Sequence, residues 1–128
     1  MNILLWSLQG LLAVMTLMPG IMKLTNSNEE LKKKGSGLMD WADDVSSINM
    51  KLIGFLEVLA GFGLILPQLL DILPWLTPLA ALGVILTMLG AISLHLKRND
   101  GAKTISINVV ILLVAAFVAY GRFVLIPA

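Results

Sequence analysis

The stretch WLTPLAALGVILTMLGAISLHL, Trp75–Leu96, contains no Asp, Glu, Lys or Arg. A helix rises about 1.5 Å per residue, so this run is long enough to cross a hydrocarbon core about 30 Å thick. Pro74 and Pro78 stand where the start of a helix tolerates proline, and Lys97 and Arg98 follow its end. Three further runs of the same kind lie outward from it: Ile3–Leu24, Ile48–Leu66 and Ile105–Ile126. The expected fold is all-α, a transmembrane antiparallel four-helix bundle forming a single domain over residues 1–128. Its spans are read at about 3–24, 48–66, 75–96 and 105–126. Pro19 removes an internal donor and is expected to kink the first span. Pro67 is expected to stop the second, which is short enough to be nearly upright or to begin inside the interface.

Composition agrees. Of 128 residues, 58% are hydrophobic and 13% charged, too few polar groups to cover a soluble core. A net charge of +1 suggests no nucleic-acid partner. The absence of cysteine excludes disulfides, thiolate metal sites and dithiol redox chemistry, and a single histidine excludes bis-histidine haem and multi-histidine zinc sites. The N-terminal run has no basic region before it and no A-x-A site after it, so it reads as a span and not a cleavable signal.

The connections differ in kind. Residues 67–74 read as a tight apolar turn, and residues 97–104 as a short polar one. Residues 25–47 are longer, with a charged stretch at Asn28–Lys34 followed by SGLMDWADDVSS. There Leu38, Trp41, Ala42 and Val45 fall at i, i+3, i+4 and i+7, which suits a short amphipathic interfacial segment capped by Ser36 and anchored by Trp41. An irregular loop with one membrane-dipping tryptophan fits the same residues. Asp40, Asp43 and Asp44 suit a solvated face far better than a divalent ion. Eight of nine Lys and Arg residues fall on the side of the 25–51 and 97–104 connections, only Arg122 on the other. This puts both termini on the outer side of the membrane.

Gly54 and Gly61, and again Gly83 and Gly90, are seven apart, nearly two turns, so each pair marks a face where backbones can approach. Within the spans every charge needs a reason, because insertion at the centre of a bilayer costs about 2.5–3.5 kcal/mol. Glu57 is the most informative. Lys23, His95 and Asn108 reach a similar depth from the other three spans, so an up-and-down bundle brings one polar residue from each helix toward one end of its core. Glu57 can pair there with Lys23 or with His95. The group reads as a polar pocket that binds a quinone head group or an anion or passes a proton, or as a clamp that fixes helix register. His95 taken alone is an interfacial residue. Arg122 either snorkels to the head groups or pairs with a polar group such as Gln9, and Trp6 and Trp75 read as belt residues. There is no phosphate loop, no Ser/His/Asp constellation and no metal-ligand cluster; no cofactor motif is evident, and quinone is the candidate ligand.

Four stretches carry a family resemblance: GIMKLT (Gly20–Thr25), KLIGFLEVLAGFGLILP (Lys51–Pro67), TPLAALGVILTMLGAISLHLKR (Thr77–Arg98) and NVVILLVAAFVAYGR (Asn108–Arg122). The chain resembles the DoxX-like family of four-helix integral membrane proteins along essentially its whole length. The resemblance implies the fold and a bacterial inner-membrane location. For function it implies an accessory or ligand-binding component of a redox-associated membrane complex, not catalytic on its own. The alternatives are a quinone-coupled oxidoreductase subunit of the thiosulfate:quinone type, or a structural or assembly module that docks another membrane protein. The expected partners are the lipid bilayer and another membrane or redox protein, with a homo-oligomer left open.

Overall fold

A computed structural model of the protein describes residues 1–35 and 37–127; Ser36, the expected cap, lies outside them. Four helices are long and apolar enough to span a membrane: α1 (Asn2–Thr25), α3 (Ser47–Gly63) continued by α4 (Leu66–Leu69), α5 (Leu76–Arg98), and α6 (Ala102–Tyr120) continued by a π-helical turn, Gly121–Leu125. The short α2 (Asn28–Lys34) and a 3-10 turn (Asp40–Asp44) lie between the first two spans. No strand occurs among the described residues.

Helix α1 packs chiefly on α3, and α5 on α6, while α3–α5 and α1–α6 contacts close the ring. Along α1 and α3 the contacts run in opposite order. Gln9 reaches Leu64, Thr16 and Leu17 face Gly61, and Gly20 faces Gly54. The core is made of small and medium side chains, among them Leu12, Ala13, Ala81, Val84, Ala115 and Val118. Large apolar residues such as Ile3, Leu86 and Leu113 point outward, the pattern of a bundle in lipid, where close packing holds helices together and the outer face needs no polar cover. Hydroxyls on these outer faces bond back to their own helix: Ser7 to the Ile3 carbonyl, Thr87 to Gly83 and Ser93 to Leu89, at 2.8–2.9 Å. These three hydroxyls are thereby satisfied in hydrocarbon.

Several expectations change. The second span does not stop at Pro67. The helix breaks earlier, after Gly63, and Pro67 sits in the first turn of α4, where its missing N–H costs nothing. The Leu64 carbonyl at this break accepts a hydrogen bond from Gln9 Nε2 at 2.8 Å. Gly54 and Gly61 do face α1, but Gly83 and Gly90 are exposed, and a Cβ on either would meet nothing within 4 Å.

The charged stretch Asn28–Lys34 is helical because Ser27 and Glu30 form a capping box, each side chain satisfying the other's backbone N–H. The helical spacing at 38–45 yields only the 3-10 turn. Its residues are too few to repay helix nucleation, and three acids sit among them. Ala42 is buried against Leu31 and Met50 beneath this segment. Asn28 Nδ2 ties it down through the Ala42 and Val45 carbonyls, at 3.2 and 2.7 Å. Asp43 pairs with Lys32 and Asp44 with Arg98, so both acids have cationic partners.

Candidate functional site

Glycine places the central pair. A Cβ at Gly20 would lie 2.9 Å from the Gly54 carbonyl oxygen, and one at Gly54 would lie 2.8 Å from that of Gly20. Only glycine permits this backbone approach. In both helices a charged residue follows three positions later, nearly one turn on: Lys23 after Gly20, Glu57 after Gly54. Because the helices are antiparallel, the two residues flank the crossing, Glu57 Cβ against Gly20 and Lys23 Cβ against Gly54, and the long Lys23 side chain reaches across it: its Nζ donates to Glu57 Oε1 at 2.5 Å with both residues less than a tenth exposed. Lys51, a turn earlier on α3, caps α1 by donating to the carbonyls of Lys23, Leu24 and Asn26 at 3.0–3.2 Å.

His95 does not join Glu57. It is buried and its Nδ1 lies 2.7 Å from Asp100 Oδ2. The end of α5 explains this. Asn99 adopts a left-handed conformation (φ 58), the Asn99 N–H bonds to the Leu96 carbonyl, and the Asp100 N–H reaches back to the His95 carbonyl at 3.0 Å. This is a Schellman stop, and it folds Asp100 onto the last turn. Arg98 Nε binds the same carboxylate oxygen at 3.1 Å. The hydrogen bond with His95, and after it that with Arg98, holds the Asp100 carboxyl below its usual range. An ionised carboxylate only accepts, so the Nδ1 of His95 must carry the hydrogen. In the neutral ring Nε2 is then the free acceptor.

Lys23, Glu57, His95 and Asn108 all line one cavity of about 530 Å³. Its remaining walls are mostly apolar, including Met15, Ile53, Leu86 and Ile111. Asn108 is half-buried, and its amide makes no hydrogen bond among the described residues. Trp41 lines the polar end of the cavity. Its ring lies 5.5 Å from Lys23 Nζ and meets the His95 ring edge-on at 6.2 Å. These are a cation–π contact and a T-shaped pair made by one indole.

Two participants escaped the sequence reading. Asp100 had a signal, the Asn-Asp-Gly stop five residues after a histidine. Trp41 as a wall of the cavity had none, because its partners come from other helices. Arg122 lies at the far end of the bundle. It is buried and donates to Gln9 Oε1 at 2.6 Å, one of its two expected arrangements, and its guanidinium sits 5.4 Å from the Trp6 ring.

The site can hold a polar head against Lys23, Glu57, His95 and Asn108, bury an apolar body, and offer the His95–Asp100 pair as a proton acceptor. Neither the curated proteins nor the solved structures give a match to the chain. Residues 7–118 match the DoxX-like family, and with four apolar spans along that length the chain belongs to the DoxX-like family of integral membrane proteins.

Proposed function

We propose that this DoxX-like protein is an accessory, ligand-binding component of a redox-associated membrane complex, and that its cavity takes a small lipophilic molecule with a polar head, a quinone. One observation carries the reading. Polar residues from all four spans line a single cavity whose other walls are apolar, and its volume falls within the range of about 300–1,000 Å³ typical of small-molecule sites. A quinone carbonyl is an acceptor, suited to the Lys23 ammonium or the Asn108 amide. The isoprenoid or alkyl portion suits Met15, Leu86 and Ile111. The same reading puts the Lys- and Arg-rich side in the cytoplasm of a bacterium, with the termini outside its inner membrane.

The His95–Asp100 pair supports a second reading, a quinone-coupled oxidoreductase subunit. A hydroquinone hydroxyl could pass its proton to the unprotonated Nε2 of His95 while Asp100 stabilises the resulting imidazolium. The electrons would go to a partner subunit that carries a redox centre.

The test is a quinone titration in nanodiscs, with Trp6 and Trp75 replaced by Phe so that Trp41 alone reports. A short-chain quinone should quench Trp41 saturably, and Glu57→Gln should weaken that binding by about tenfold, the effect of losing one charge-assisted contact. Linear quenching that is the same in both proteins would mean simple partitioning into lipid and would end the proposal.

A further inference from the structure

A second pocket, of about 430 Å³, opens at the end of the bundle that carries Asn2 and Arg122. Asn2, Trp6, Gln68, Asp71 and Arg122 line it. It shares no residue with the cavity around Glu57. Arg122 is only 2% exposed, yet each hydrogen bond it makes among the described residues is to a neutral oxygen: Gln9 Oε1 at 2.6 Å, Asn2 Oδ1 at 2.8 Å and the Ile126 carbonyl at 3.3 Å. No carboxylate among the described residues pairs with it, and its Nη2 has no hydrogen-bond partner among them. A buried guanidinium with one arm unused favours an oxyanion, which its planar fork of donors fits.

Asp71 restricts which oxyanion. It is the one acid among the pocket's described lining residues; it is exposed, sits in a left-handed turn (φ 54), and its carboxylate makes no hydrogen bond or ion pair among the described residues. A simple anion drawn in by Arg122 would meet this negative charge. A head group with an ammonium beside its phosphate would meet two complementary charges. Around the pocket, Ile3, Leu70, Ile72 and Phe123 are exposed and apolar, a surface fit for acyl chains. Trp6, with its ring against Arg122, gives the amphipathic wall common where head groups begin.

We propose that this pocket binds a phosphoethanolamine head group, its phosphate at the Arg122 guanidinium and its ammonium on Asp71. Phosphatidylethanolamine is the bilayer source and free phosphoethanolamine the soluble one.

Thermal unfolding of the purified full chain in detergent decides between them. The additions are phosphatidylethanolamine, phosphatidylglycerol, phosphatidylcholine, free phosphoethanolamine and inorganic phosphate, each tested separately. Phosphatidylethanolamine should raise the Tm saturably, with half-effect at about tenfold lower concentration than phosphatidylglycerol, the worth of one charge-assisted hydrogen bond. Arg122→Gln should abolish the shift. Asp71→Asn alters an exposed side chain, and it should bring the two lipids to the same half-effect; this comparison holds even if the Arg122 variant fails to fold. Saturable stabilisation by free phosphoethanolamine at the same concentration as the lipid keeps the site and gives it a soluble ligand. Equal shifts with all three lipids, a preference that survives Asp71→Asn, or inorganic phosphate matching phosphatidylethanolamine would each overturn the proposal.

Discussion

At one end of the bundle a buried cation meets a carboxylate; at the other, among the described residues, a buried cation meets amides and a backbone carbonyl. Lys23 and Glu57 cancel each other 2.5 Å apart beside a large cavity. Arg122 is held by Gln9, Asn2 and Ile126, none of which carries charge. The two ends solve the same problem differently, and their failures should differ accordingly. Removing one partner of the ion pair strands a charge in a low-dielectric core. Removing Arg122 strands only neutral oxygens.

The largest effect should come from breaking the ion pair on one side. Glu57→Ala or Lys23→Ala alone is expected to cost about 3–5 kcal/mol, whereas the double change to Met at both sites should cost far less, because no charge is left unpaired. Reversible unfolding in mixed detergent micelles, run as a double-mutant cycle, measures this; simple additivity would show that the pair does not couple. Next comes the crossing that builds it. Gly54→Ala sets a Cβ against the Gly20 carbonyl, and overpacking of that kind costs about 1–3 kcal/mol. The same change at Gly83, where nothing lies within 4 Å, should have no measurable cost in the same assay.

Arg122→Met should cost about 1–3 kcal/mol, the desolvation of the Gln9 and Asn2 oxygens it abandons, and should fall below the single ion-pair mutants. A loss as large as theirs would remove the contrast between the two ends. The smallest effect concerns the Asn99 stop. A left-handed residue with a branched side chain is disfavoured by about 1–2 kcal/mol, so Asn99→Val should lower stability by that much, and Asn99→Gly should not. Because Asp100 is more acidic when folded, its contribution is present above the ordinary carboxylate range and is lost as pH falls through the folded value. Wild-type stability should therefore drop below about pH 4, with Asp100→Asn showing a shallower drop.

The spans were legible because hydropathy alone marks them, and the bilayer leaves the backbone few alternatives. Depth was legible too: Lys23, Glu57, His95 and Asn108 all line the cavity. Rotation was not. Whether Glu57 meets Lys23 or His95 depends on which way each helix faces, and only the contact of Gly20 with Gly54 settles it. Glycine spacing had the same limit, since Gly54 and Gly61 face a neighbour while Gly83 and Gly90, equally spaced, do not. The segment between the first two spans was least legible. Its turn residues are arranged by contacts from Asn28, Lys32 and Arg98, which no local pattern records. The Ser27–Glu30 box was there to be read and marks a helix start.

The sequence separations of these contacts also set an order in time. Lys23 and Glu57 are 34 residues apart, and Gln9 and Arg122 are 113 apart. During synthesis the first contact is available once α3 has entered the membrane; the second must wait for nearly the whole chain. We therefore expect α1 and α3 to pair as a nascent hairpin, with Arg122 arriving last as the latch that joins the final helix to the first. Chains arrested on the ribosome through a linker long enough to carry Leu69 clear of the exit tunnel would test this. Lys23 should already resist amine-reactive labelling there, and ready labelling would place its burial later in biogenesis.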